Sequence, residues 1–293
     1  MRVAANGIAI EVDDRGPPDG EPLLLIMGLG MQLIGWPEEF VQALLARGFR
    51  VIRLDNRDAG LSQGFDELGA PPLAWAALRY TLHLPVPAPY TLAEMAADCL
   101  GVLDALGIAR AHVCGASMGG MIAQHLAAAH PQRLKSLTLM MTSSGARRLP
   151  QPSFLVQRAL MSRPDGRDPA AVVAHLAKLL GLIGSPAYRP DPGRLRRRLD
   201  ETVARAWRLA GTARQLIAVA ADGDRTPLLG RIAAPTHVIH GEADPLVPVA
   251  AGRDLAARIA GAQADVVPGM GHDLPDALFE RFADGIARNA RRA

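Results

Sequence analysis

The sequence is poor in cysteine and in aromatic residues, and both shortages exclude functions. Only two cysteines, Cys99 and Cys114, occur among 293 residues, which is too few for a disulfide framework. Both fall in apolar segments, so reduced and buried thiols are expected. Aromatic residues make up 4% of the chain, and the formal net charge is only +3. Nucleic-acid binding needs a basic stripe with aromatic platforms, so no nucleic-acid partner is expected.

Long apolar runs are also missing. No uninterrupted apolar stretch reaches the about 20 residues that a membrane-spanning helix needs, so no membrane partner is expected. Residues 1–7 contain no apolar segment of signal-peptide length, and a cytoplasmic location is the expectation. Apolar residues make up 49% of the chain and charged residues 21%, which is typical of an ordinary folded domain with a large core.

Short apolar runs alternate with amphipathic segments over the first 142 residues. The run 22–27 is apolar throughout, as expected of a strand that is buried on both faces of a parallel sheet. Strands are predicted at 7–13 (an edge strand), 22–27, 50–54, 110–114 and 134–141. Helices are predicted at 36–47, 91–107 and 118–130, with a short helix within 73–84. This alternation predicts an α/β fold with a mostly parallel, doubly wound sheet.

The pattern changes after residue 142. No convincing strand is found between residues 143 and 229, where the clearest helical pieces are 170–180 and 194–210. Alternation returns with strands at 235–240 and 264–267 and helices at 248–259 and 274–291. We therefore predict a core domain formed by residues 1–142 and 230–293, with a helical cap (lid) inserted at 143–229.

A serine lies at the sharp turn between one predicted strand and the next helix. Ser117 is flanked two residues away on either side by Gly115 and Gly119. Such a turn forces the serine backbone into a sparsely populated conformation, and the glycines remove side chains that would clash there. The pattern indicates a nucleophile whose hydroxyl is exposed at the end of a sheet. The alternative interpretation is a glycine-rich turn with a helix-capping serine.

A serine hydroxyl becomes a good nucleophile only when a base, itself held by an acid, removes its proton. Asp244 and His272 each follow a predicted strand, and working groups of open parallel sheets lie at the carboxyl ends of strands. The chain order Ser117, Asp244, His272 is the order that a strand–turn–helix serine nucleophile requires. The three residues are the predicted catalytic triad.

Other residues compete for two of these roles. Asp222 and Asp224 lie near the end of the predicted cap, and Glu242 lies two residues before Asp244, so each remains open as the acid. Among the other histidines, His83 is the one whose irregular apolar segment is compatible with a place in a pocket.

Two backbone N–H groups are predicted to bind the oxyanion. One belongs to Met118, at the start of the helix after Ser117. The other is assigned to Leu29, with Gly28 as second choice. Gly28 and Gly30 let this loop approach a substrate closely and are predicted substrate-binding residues. No metal site and no cofactor are predicted.

These motifs resemble the α/β-hydrolase superfamily over nearly the whole chain. The segments that carry the resemblance are 55–62, 115–120, 241–245 and 269–272. A narrower likeness, to the aclacinomycin methylesterase-like group of esterases, is carried by residues 27–29, 35–40, 90–92 and 95–98. The resemblance implies the same triad. Members usually begin the oxyanion loop with His-Gly, whereas this chain has Met27-Gly28, which leaves the backbone donors in place.

The function expected from these residues is that of a serine esterase acting on a small-molecule ester. Apolar residues of the predicted cap favour a small to medium, fairly apolar substrate. Thioesterase, lactonase, methylesterase, acyltransferase and perhydrolase activities share the same triad and stay open. A non-catalytic ligand-binding protein of this fold is a further alternative, and a homo-oligomer built through the helical region is compatible with any of these.

Overall fold

A computed structural model describes residues 1–166 and 168–293 of the chain. The described residues form an eight-stranded sheet in the order β1-β2-β4-β3-β5-β6-β7-β8. The strands are β1 (Arg2–Ala5), β2 (Ile8–Arg15), β3 (Glu21–Ile26), β4 (Phe49–Leu54), β5 (Ala111–Ala116), β6 (Leu134–Met140), β7 (Thr236–Gly241) and β8 (Gln263–Val267). Strand β2 runs antiparallel to β1 and β4, and all other pairs are parallel. The predicted α/β fold class is confirmed.

The edge of the sheet differs from the prediction. The strand predicted at the edge, at 7–13, is β2, and it is covered by the four-residue strand β1, which the sequence analysis missed. Asn6 and Gly7 connect the two strands with positive φ angles of 50° and 78°. Two-residue hairpins favour this Asn-Gly pair because both positions need a positive φ. A four-residue strand is too short to show an apolar period, so the turn was its only signal in the sequence.

Helices cover both faces of the sheet. They are α1 (Glu38–Leu45), α2 (Leu73–Thr81), α3 (Leu92–Ala105), α4 (Met118–Ala129), α5 (Phe154–Leu160), α6 (Pro169–Ile183), α7 (Pro192–Arg205), α8 (Leu209–Asp222), α9 (Thr226–Leu229), α10 (Ala250–Arg258) and α11 (Phe279–Ala290). One face packs on α1 and α11 through Phe40 and Phe282. The other packs on α3, α4 and α10 through Leu103, Leu126 and Leu255. Every helix in the described part of the chain is too short or too polar to span a bilayer.

The helices α5 to α9 all lie between β6 and β7, within residues 141–235, which we call the insertion. The single helix predicted at 194–210 is wrong. It is two helices, α7 and α8, because the chain leaves helical geometry at Ala206, where φ is −170° and ψ is 142°. Helix α8 was not predicted from the sequence.

A buried ion pair fastens α8 to the loop after β4. Arg214 and Asp58 are each 1% exposed, and two hydrogen bonds of 2.8 and 2.7 Å join the guanidinium to the carboxylate. Tyr90 donates a third hydrogen bond to Asp58 at 2.8 Å. Although burial acts to raise the pKa of Asp58, the hydrogen bonds from Arg214, Phe65 and Tyr90 and the charge of Arg214 hold it below its ordinary value.

Breaking this pair should be costly. We expect Arg214→Met to lower the free energy of unfolding by about 3–5 kcal/mol, because it leaves the Asp58 carboxylate buried without its counter-charge. Urea unfolding at neutral pH measures the change. Arg196→Met is the matched control, since Arg196 pairs with Asp200 at the surface, and such pairs contribute about 0–1 kcal/mol. Equal losses in the two variants would contradict the prediction.

Candidate active site

The turn from β5 into α4 places Ser117 at the end of the sheet. Its backbone has φ 54° and ψ −120°, a conformation that non-glycine residues rarely adopt, as the sequence predicted. Its N–H donates to the Met140 carbonyl at 2.9 Å, and its own carbonyl accepts from the Thr142 hydroxyl at 2.7 Å. These bonds to β6 and to the residues just after it hold the strained turn in place.

The glycines around Ser117 are required by close backbone contacts. A Cβ on Gly115 would lie 2.7 Å from the Gly120 nitrogen, inside the first turn of α4. A Cβ on Gly119 would lie 2.6 Å from the Ile26 carbonyl carbon, at the end of β3. Helix α4 can therefore begin directly beside two strand ends only with glycine at both positions.

His272 and Asp244 meet Ser117 across the ends of three strands. The His272 Nε2 atom lies 3.0 Å from Ser117 Oγ, and Nδ1 lies 2.7 Å from Asp244 Oδ2. A carboxylate can only accept, so Nδ1 carries the proton and Nε2 presents its lone pair to the serine hydroxyl. Both His272 and Asp244 are buried, with 8% and 5% exposure. The structure thus brings the three predicted residues into one hydrogen-bonded chain.

The second oxygen of Asp244 is also fixed. Oδ1 accepts the backbone N–H groups of Leu246 and Val247 at 2.9 and 2.7 Å. The Val247 carbonyl in turn accepts from His240 Nε2 at 2.7 Å. Burial lowers the pKa of His240, which favours a neutral ring beneath the Asp244 loop. The carboxylate is therefore oriented from both sides before any substrate arrives.

The competing residues lie in other contacts. Asp222 binds His125 at 2.7 Å and pairs with Arg225, and these partners hold its pKa below the ordinary value although burial acts to raise it. Asp224 accepts the Thr226 N–H at 2.9 Å. Glu242 and His83 are exposed. Asp244 is the acid that the structure places on His272.

The loop after β3 passes close to Ser117. A Cβ on Gly28 would lie 3.2 Å from Ser117 Cβ and 3.7 Å from Oγ. The next backbone N–H is that of Leu29, and Met118 N–H opens α4. Among the described residues neither group donates to a protein acceptor. Both predicted donors therefore remain free for an oxyanion, and their role stays a prediction.

Gly30 serves a contact that the sequence did not reveal. Its φ is 67°, and a Cβ there would lie 2.7 Å from the Thr212 hydroxyl of α8. Its N–H donates to Gln215 Oε1 at 2.8 Å, and Gln215 Nε2 donates to the Arg57 carbonyl at 2.7 Å. The completely buried Gln215 thus ties the loop after β3 to the loop after β4. A contact between Gly30 and substrate stays a prediction.

The loop 55–62, one of the segments that carry the resemblance, makes structural contacts. Asp55 accepts from the backbone of Leu33 and Leu61 and from Arg205 of α7, and Arg57 forms a buried ion pair with Asp98. Asn56 donates to the Met27 carbonyl at 2.9 Å. Through these bonds, residues 55–62 fix the start of the loop after β3 and connect it to the insertion.

A cavity of about 690 Å³ lies away from Ser117, at the amino-terminal ends of β7 and β8. It is lined by His237, Asp265, Arg281 and Arg288, among others, and Asp265 is paired with Arg281. It contains no serine or cysteine. Within the described part of the chain, no group of three histidine, cysteine or acidic side chains is placed to hold a metal ion.

The mostly parallel sheet, the strained serine after β5 and the histidine and acid at later strand ends define an α/β-hydrolase architecture. The family model described as alpha/beta hydrolase fold matches residues 21–276, and the chain belongs to this family.

Individual relatives within this family include methylesterases. The chain is 35% identical to rhodomycin D methylesterase DauP of Streptomyces sp. (strain C5) and 32% identical to rhodomycin D methylesterase DnrP of Streptomyces peucetius. Both alignments cover 95% of this chain and 93% of the relative. The enol-lactonase from Burkholderia xenovorans LB400 superposes with a TM-score of 0.77 at 27% identity, covering 99% of this chain and 100% of that one. The likeness to methylesterases inferred from the sequence is confirmed.

Proposed function

We propose that this carboxylic ester hydrolase works through an acyl-enzyme on Ser117, with His272 as general base and Asp244 as the orienting acid. The observation that carries the proposal is the continuous chain from Ser117 Oγ through both ring nitrogens of His272 to Asp244, with distances of 3.0 and 2.7 Å. A histidine held in this tautomer can accept the serine proton as the hydroxyl attacks.

The reaction proceeds in two halves. Ser117 Oγ attacks the ester carbonyl carbon while its proton moves to His272 Nε2, and the carbonyl oxygen becomes an oxyanion bound by the N–H groups of Met118 and Leu29. The C–O bond to the alcohol then breaks, and Nε2 protonates the leaving oxygen. In the second half, a water gives its proton to Nε2 and attacks the acyl carbon. The carboxylic acid leaves, and the proton returns to Ser117.

The substrate we propose is a small-molecule ester with a fairly apolar body. Two relatives are named methylesterases, so a methyl ester is the first form to test. Apolar side chains lie exposed on α5, where Phe154 is 79% and Leu155 is 62% exposed. Exposed apolar patches on folded proteins are usually small unless they form a binding surface, so these side chains support an apolar substrate.

Active-site labelling with a p-nitrophenyl phosphonate tests the proposal. We expect one phosphonate per chain, mapped by peptide mass spectrometry to Ser117, with loss of hydrolysis of aryl and methyl esters in proportion to labelling. Thioesters and lactones offered beside the esters identify which acyl group is preferred. A protein that hydrolyses none of these, or is labelled elsewhere, would show that the proposal is wrong.

A further inference from the structure

The loop that carries His272 is paired with a segment of the insertion. Residues 183–187, at the end of α6, run beside residues 269–273. The N–H of His272 donates to the Ile183 carbonyl at 2.8 Å, and the N–H of Ala187 donates to the Gly269 carbonyl at 3.2 Å. A Cβ on Gly271 would lie 2.5 Å from the Gly184 carbonyl, so the two backbones can approach only because residue 271 is glycine.

One side chain in this pairing binds both neighbours of His272. Ser185 is 1% exposed, and its hydroxyl accepts the N–H of Gly271 at 2.8 Å. The same hydroxyl donates to Asp273 Oδ1, which also accepts the Ser185 N–H at 3.1 Å. Ser185 therefore bonds to the residue before His272 and to the residue after it.

We propose that Ser185 is a positioning residue for His272, holding the imidazole in line between Ser117 and Asp244. The inference rests on the proposed function, because it concerns the same triad. Ser185 lies 87 residues before His272 in the insertion, so the insertion supplies part of the framework that aligns the base.

The loop that carries His272 is held on its opposite side by β7, so the bonds to Ser185 are needed to hold the side that faces the insertion. Ala243 N–H donates to the Met270 carbonyl at 2.9 Å, which ties the loop to the end of β7. Residues 271–273 extend past that bond toward the insertion. Without the Ser185 hydroxyl, the buried Gly271 N–H loses its partner, and Asp273 keeps only one backbone donor from residue 185. A displacement of the ring of about 1 Å can cost about a hundredfold in rate.

Asp273 is the second residue beside His272 that Ser185 binds. Burial raises the pKa of its carboxyl group, while the hydroxyl and N–H of Ser185 act in the opposite direction. From the sequence alone, Asp273 is expected to be a surface or helix-start residue, whereas the structure binds it to Ser185. Because Asp273 adjoins His272, substitutions of Asp273 give a second test of the proposal. Asparagine keeps the oxygen that accepts from Ser185, and alanine does not.

The test compares Ser185→Ala with wild type in ester hydrolysis and in phosphonate labelling of Ser117. We expect kcat and the labelling rate to fall together by about ten- to a hundredfold, while KM changes less than about threefold. Ser136→Ala is the matched control. Its hydroxyl is also buried and bonds to His112 at 2.8 Å, but near the start of β6, so kcat should be unchanged.

Asp273→Asn and Asp273→Ala form the second comparison, which decides the matter if Ser185→Ala does not fold. We expect the asparagine variant to retain kcat within about threefold and the alanine variant to lose about tenfold or more. Equal impairment of both variants, wild-type kcat in Ser185→Ala, or a rise in KM alone would overturn the inference. A wild-type protein inert to both esters and phosphonate would instead overturn the proposed function.

Discussion

Ser117→Ala should lower kcat for ester hydrolysis by about 10⁴- to 10⁶-fold, the range found when a triad nucleophile is removed. The alanine lacks the Oγ atom that lies 3.0 Å from His272 Nε2, so no acyl-enzyme can form. Residual turnover would come from water activated by His272 and from the oxyanion donors, which the substitution leaves in place. Steady-state kinetics on freshly purified protein, with phosphonate labelling, measures both effects.

The fold should survive this change. Ser117 directly follows the carboxyl end of β5, and the strained turn is held by bonds from the Ser117 backbone to the Met140 carbonyl and the Thr142 hydroxyl, which alanine can also make. Because alanine pays the same strain at φ 54°, we expect the free energy of unfolding to stay within about 1 kcal/mol of wild type. Ser143→Ala, in the loop after β6, is a control for removing a serine hydroxyl nearby. Retention of more than about 1% of wild-type kcat in Ser117→Ala would contradict the assigned nucleophile.

The three residues of the Ser117–His272–Asp244 hydrogen-bonded chain could be located from the sequence because each follows a local pattern. Gly115 and Gly119 mark the turn around Ser117, and short apolar strands precede Asp244 and His272. In a parallel sheet the carboxyl ends of the strands lie on the same side, so chain order and position after a strand were enough to select these residues. The long capped helix α3 was predicted for a similar reason, since Thr91 and Glu94 form the capping box within four residues.

The contacts between the insertion and the core could not be predicted in this way. Gln215 binds Gly30 across 185 residues, and Ser185 binds Gly271 across 86. Neither pair leaves a periodic signal. Arg214 and Gln215 are polar residues in a helix whose buried side faces the core, and without the partner loop they resemble a solvated face. Their position among the apolar residues of α8 was the indication in the sequence that they are buried.

These contacts change how the insertion is understood. Helix α8 holds the loop after β3 through Gln215, and residues 183–185 hold the loop that carries His272. Both halves of the proposed chemistry, oxyanion binding and proton transfer, therefore depend on the same insertion. The exposed Phe154 and Leu155 of α5 take no part in these two sets of bonds.

Asp244→Asn should lower kcat by about 10⁴-fold while the protein stays folded. The asparagine carbonyl can accept the N–H groups of Leu246 and Val247 in place of Oδ1, so the loop keeps its bonds. Its amide group then faces His272 Nδ1 and donates to it. This forces the proton onto Nε2, where the ring can no longer accept the proton of Ser117. The loss is one of tautomer rather than of geometry, so KM should change little.

Glu242→Gln is the matched control for this substitution. It removes the same charge from the same loop, two residues away, but Glu242 is exposed and, among the described residues, forms no hydrogen bond or ion pair with His272. We expect its kcat to stay within about twofold of wild type, and thermal melts to show both variants folded. Phosphonate labelling of Ser117 should slow in Asp244→Asn as much as kcat does, because both reactions need the Nε2 lone pair. Near-normal labelling in that variant would mean that another group orients the base, and Asp244 would then lose the role assigned to it.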